Sequence, residues 1–96
     1  MATFISLVNF TEQGIRSVKD SPDRYGAFRS SCEKLGVTVK SVYYTVGHYD
    51  IVVVVEGSDE AVTAALLKLG SAGNVRTETL RGYSLEEMKK ILGTIA

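Results

Sequence analysis

The sequence predicts an α+β domain whose elements run βαββαβ and end on one more helix. Three observations carry that prediction. The apolar residues switch between a period of 2 and a period of 3.6, with no low-complexity linker or internal repeat between segments. Serine, proline and glycine stand at the boundaries where helices start and stop. The chain has 96 residues, which suits a single domain spanning 1–96 with a core small enough for association to add useful burial.

"TFISLVNF", residues 3–10, is rich in β-branched and aromatic residues and reads as the first strand. "TEQGIRSVKD", residues 11–20, holds no sustained period and reads as a loop with room for one helical turn. Ser21 as N-cap, Pro22 at the first helical position and Gly36 as the terminating glycine then bound a helix. Tyr25, Phe28, Cys32 and Leu35 fall on one of its faces.

"VTVKSVYYTV" and "YDIVVVVE" are the second and third strands. Gly47 and His48 lie between them, and a two-residue loop with glycine first suits a type II′ turn. The next helix is capped by Ser58, has Asp59 and Glu60 at its positive end, and buries Val62, Ala65, Leu66 and Leu69. Gly70 or Gly73 ends it. "NVRTETLRGY" is the fourth strand. Ser84 and Glu87 then form a capping box, with Tyr83 and Met88 placed as a hydrophobic staple. Leu85, Met88, Ile91, Leu92 and Ile95 give this last helix an apolar side that needs a docking surface.

This order is the ferredoxin-like arrangement. Right-handed crossovers give an antiparallel sheet of order 4-1-3-2, with the first and third strands central. Two helices cover one sheet face only, so the central strands should alternate between apolar and polar. They do not. Ile51 to Val55 are apolar on both faces, as are Ile5 and Leu7 set against Phe4 and Val8. Either the last helix or a second copy of the chain has to cover the second face. Because large apolar patches mark interfaces, the expectation is a homodimer or a higher homo-oligomer.

Lysine plus arginine and aspartate plus glutamate both number 11. That balance lacks the basic field that phosphate backbones require, so no nucleic-acid partner is expected. No long apolar run and no basic leader region point to a membrane or to export, and a cytoplasmic location is expected. The lone Cys32 cannot form an internal disulfide, in keeping with a reducing compartment.

Several stretches carry a resemblance: "TEQGIR", "KDSPDR", "GHYDIVVVVE" and "LGSAGNVRTETLRGYS" resemble the GYD-domain family. Its Gly-x-Tyr-Asp motif falls on Gly47, Tyr49 and Asp50. The resemblance implies a ferredoxin-like fold of the dimeric α/β-barrel type, in which two sheets pack face to face. It also implies a mostly bacterial family with no generally assigned activity. A weaker similarity, in the Gly-x-Tyr-Asp strand and "VRTET", is to the effector-binding domains of leucine-responsive regulators. Those bind amino acids between subunits, but no helix-turn-helix precedes the domain here.

His48, the lone histidine, is the natural candidate for acid–base work yet sits at a turn, where polar residues are ordinary. Cys32 lies on an apolar stripe and reads as core. No metal-ligand spacing, nucleotide loop or nucleophile motif is present, so no catalytic residue, metal or cofactor is expected. The topology does gather a polar cluster at one sheet edge: Asn9 and Thr11, Tyr49 and Asp50, Asn74 and Arg76, with Arg16 and Lys19 on the loop overhead. Such a cluster suits a small carboxylate or phosphate, an anionic metabolite. In the opposing reading Asp50 accepts backbone N–H groups and pairs with an arginine to fasten loop to sheet. The function expected is a non-enzymatic small-molecule-binding or regulatory module. The alternatives are a cofactor-independent enzyme, monooxygenase- or isomerase-like, using a cavity between sheet and helices, and a protein whose only task is assembly.

Overall fold

The β-forming residues Ala2–Phe10 make strand β1, which lies inside a four-stranded antiparallel sheet of order β2-β3-β1-β4. Its partners are β2 (Thr38–Tyr44), β3 (Ile51–Gly57) and β4 (Val75–Gly82). This is the predicted order read from the other edge. The computed structural model describes residues 1–95. Helices α2 (Ser21–Leu35) and α3 (Asp59–Ser71) supply the two crossovers, preceded by a short α1 (Glu12–Arg16) and followed by α4 (Leu85–Gly93).

Register sorts the side chains onto two faces. Ser6, opposite Val53 and Thr79, and Val8, opposite Ile51 and Thr77, share the helix-covered face. There Val53 and Val55 pack with Phe28 and Cys32 of α2 and Val62 and Ala65 of α3 in one buried core. The other face carries Ile5 between Val54 and Leu80, then Leu7 between Val52 and Glu78, with Tyr43 beyond Val52. Tyr43 is 66% exposed and Leu80 is 46% exposed. Ile5, Leu7, Val52 and Val54 are only half-buried. Strand β2 pairs Val39 with Val55 and Ser41 with Val54, so Lys40 is an extra residue that bulges from the edge.

Residues 11–20 are more ordered than a loop. Thr11 caps α1 by accepting the Gly14 N–H, and a 3₁₀ turn, Val18–Asp20, follows. The helix-start prediction at Ser21 needs correction: α2 begins there, Asp20 is the cap residue, and the Ser21 hydroxyl bonds the Tyr44 hydroxyl instead. Pro22 does lie in the first turn, and Gly36 ends the helix in the left-handed region at φ 79°. Leu35 is exposed and not part of the core stripe.

The two-residue hairpin is also corrected, because the connection runs from Thr45 to Asp50. Asp50 donates its N–H to Val8 O at 2.8 Å, and its carboxylate accepts the Phe10 N–H at 2.9 Å. Thr45 donates its N–H to Asp50 O at 2.8 Å, so bonding runs one step past the Tyr44–Ile51 pair and residues 46–49 form the loop. Gly47 has φ 146°, a backbone state that L-residues rarely adopt.

The capping box of α4 forms as predicted, with Ser84 and Glu87 bonding each other's backbone N–H groups. Yet Leu85, Leu92 and Ile95 are exposed, so α4 does not bury its apolar side. Arg81, just before it, lies over the rings of Phe4 and Tyr83 and bonds the carbonyls of Thr3 and Gly82. This clamp sets where the chain leaves the sheet.

Candidate functional site

The polar sheet edge is held together by bonds among its own residues. Thr11 donates its N–H to Asn74 O at 3.0 Å and its hydroxyl to Gly73 O at 2.6 Å. Gln13 adds a bond to the Asn74 side chain at 3.0 Å. Gly14 is buried against the same strand start, where a Cβ would meet Asn74 O at 1.9 Å. Only glycine permits that approach, which seats α1 on the turn before β4.

Tyr49 donates its hydroxyl to Glu78 at 2.7 Å. That bond, with the glutamate charge beside it, raises the phenol above the ordinary tyrosine pKa. Asn9 and Arg76 are register partners on β1 and β4. Among the described residues Arg76 has no carboxylate within 4.0 Å, so the expected Asp50–arginine pair is not formed; Asp50 takes a backbone N–H in its place. Arg16 is engaged with Glu12 at 3.7 Å on the surface, and Lys19 is exposed. The structure therefore joins Thr11 to Asn74 and sets Asp50 on β1, while Arg16 is turned to a partner on its own helix. Thr11 and Arg76 also line a shallow cleft of about 420 Å³.

A second cavity, of about 290 Å³, lies between the helices and the sheet. It exists because small side chains meet there: Ser6 on β1, Ala27 and Ser31 on α2, Ala65 and Ala72 on and just after α3. The remaining walls are mostly apolar, including Phe28, Val53 and Leu69. Ser6 bonds Thr79 at 2.8 Å and Ser21 bonds Tyr44 at 2.6 Å, so both of these wall hydroxyl groups are paired. Arg24 reaches the same wall and makes three hydrogen bonds, to Ser17 O, Ser17 Oγ and Gly14 O.

Sequence reasoning raised a cavity between sheet and helices only for the enzyme alternative and assigned no residues to it. The available signal was Ser6, a small polar residue facing inward between Phe4 and Val8 on a central strand. Asn74 is the one predicted site residue that also lines the cavity.

The remaining candidates are quickly placed. Cys32 is buried, and desolvation followed by the Glu33 charge raises its thiol, which suits core and not a nucleophile. His48 is exposed on the loop. No group of three His, Cys, Asp or Glu side chains among the described residues could hold a metal.

An antiparallel sheet with helices on one face and a cavity between the layers defines a ferredoxin-like α+β domain. The chain belongs to the GYD domain family, whose pattern matches residues 4–92. It is 37% identical over 90 residues to the glutamine synthetase and cystathionine beta-lyase binding protein of Thermus thermophilus, covering 92% of this chain and 95% of that one. Among solved structures it is similar to TTHA0845 of Thermus thermophilus, with a TM-score of 0.55 and 25% identity over 88% of this chain and 95% of that one. HapK of Hahella chejuensis shares the fold, with a TM-score of 0.55 and 18% identity over 88% and 93% of the two chains. No helix among the described residues is long and apolar enough to cross a membrane.

Proposed function

We propose that the chain is a non-enzymatic binding and regulatory module that works as a homo-oligomer. The observation that carries this reading is the uncovered sheet face, where Ile5, Leu7, Val52, Val54, Leu80 and Tyr43 form one apolar surface with no helix over it. A second copy of the same face is its natural cover, since an apolar face matched to itself buries both surfaces at once. A relative named for binding two metabolic enzymes supports a regulatory role exerted through protein contacts. The cavity between helices and sheet gives such a module a place for a small molecule.

The test is light scattering at tens of micromolar. The native chain should have the molar mass of a dimer or larger assembly, and Val52→Lys should lower it while the far-UV spectrum stays folded. A native monomer at that concentration overturns the reading.

A further inference from the structure

We infer that the cavity between α2, α3 and the sheet takes an amphipathic anion, an apolar body ending in one carboxylate or similar acidic head, with Arg24 as the residue that receives the head. This rests on the binding-module reading and gives it a ligand class. At about 290 Å³, the cavity is at the lower end of small-ligand sites, which run from about 300 Å³ upward. The ligand is therefore a compact molecule and not a large cofactor.

The lining specifies its character. The floor and walls are aliphatic and aromatic, so the body of the ligand has to be apolar. The charged groups in the lining are both cations, Arg24 and Lys68, and no aspartate or glutamate is among the lining residues. Arg24 is half-buried and has no carboxylate within 4.0 Å among the described residues. Its hydrogen bonds go from its two terminal nitrogens to uncharged partners, at Ser17 and Gly14. A guanidinium carries more N–H donors than these bonds use, so a planar acid can be bonded without releasing the backbone. A half-buried cation with no counterion, set at the rim of an apolar hole, has a place for one negative charge.

The wall hydroxyls argue against a ligand with many polar groups. Ser6 and Ser21 are buried and already paired, with Thr79 and Tyr44 respectively. Ser31 is the one wall serine left to meet a ligand hydroxyl, so a sugar or nucleotide would leave most of its hydroxyl groups without partners in this cavity. Exposed Ala27, Lys68 and Ala72 put the entrance between α2 and the second half of α3, with Lys68 beside it.

The experiment uses octanoate, with octanol as its uncharged counterpart and octylammonium as its cationic one. Binding to the full chain is measured by calorimetry, and amide shifts are mapped by NMR. Octanoate should bind at least roughly tenfold more tightly than either counterpart, shifting amides of Ser31, Ala65 and Leu69. Arg24→Gln should remove that preference, bringing octanoate down to the level of octanol, while Arg24→Lys should keep most of it. Ala65→Leu should abolish binding of octanoate and octanol alike. Ser31→Leu, from the opposite wall, serves if Ala65→Leu does not fold.

Equal affinity for the three compounds, no octanoate binding at millimolar concentration, or shifts confined to Ile5, Leu7, Val52 and Val54 would each overturn the proposal. The molar mass of each sample separates the two readings. A monomer that binds octanoate removes the assembly reading and leaves this one, whereas an oligomer that binds none of the compounds does the reverse.

Discussion

Tyr49 and Glu78 are bonded at 2.7 Å although Tyr49 lies on the loop leading into β3 and β1 separates β3 from β4. Glu78 is paired with Leu7, so the tyrosine of the Gly-x-Tyr-Asp motif reaches over β1 to β4. Together with the Asp50 carboxylate on the Phe10 N–H, it ties the wide loop at 45–50 to the two strands that follow β3 in the sheet.

Tyr49→Phe should therefore loosen the loop selectively. Amide exchange at Gly47 and His48 should quicken, with little change in the helices. The phenol is raised in the folded state, chiefly by the Glu78 bond. Its contribution is thus present below the unfolded tyrosine pKa and lost as pH rises through the folded one. Urea midpoints across the alkaline range should fall less steeply for Tyr49→Phe than for the native chain.

At the tip of that loop, Gly47→Val should cost about 1–2 kcal/mol, because φ 146° is a state in which a Cβ clashes with its own backbone. His48→Ala, on an exposed residue, should change stability by less than about 0.5 kcal/mol. Urea denaturation of the two variants checks both values, and equal small effects would show that the loop relaxes freely.

Gly14→Ala is expected to be among the more damaging single-methyl additions. The new Cβ would stand 1.9 Å from the Asn74 carbonyl oxygen, a backbone atom that cannot rotate away. A cost of about 1–3 kcal/mol, as for overpacked sites, should appear in urea melts. Crosspeaks of Thr11 and Asn74 should move together in NMR spectra.

Acid should fray α4 first. The Ser84 backbone N–H, bonded to the Glu87 carboxylate, holds that group below the ordinary glutamate range. The cap is therefore complete above the unfolded glutamate pKa and is lost as pH falls through the lowered one. Carbon chemical shifts of residues 85–93 should report the loss, and Glu87→Gln should flatten it.

The fold was legible because its signals are local and repeated. Pro22, Gly36, Ser58 and the Ser84–Glu87 box each mark a helix end through backbone bonds that involve only near neighbours. The unbroken apolar run at 51–55 revealed a face that no helix among the described residues covers. What failed depended on distant partners. The Gly47–His48 turn gave way to a wider loop anchored through Asp50 to β1, a contact about forty residues away in sequence that no turn propensity contains. The edge cluster was read from topology alone, and which residue bonds which depends on side-chain reach. The walls of the cavity escaped because they come from several small residues on three elements, each ordinary by itself.

The bulge at Lys40 bears on how copies of this chain would meet in the proposed assembly. Strand edges are templates for further strands, and contacts made through them can extend without limit into fibres. Here β2 carries an extra lysine that distorts one edge, and β4 carries Arg76, Glu78 and Arg81 along the other. Aggregation along the hydrogen-bonding direction is disfavoured at both sides, which leaves face contacts as the easier route. Faces related by a two-fold axis close on themselves, so the same irregularity that interrupts one ladder favours a finite particle over an open polymer.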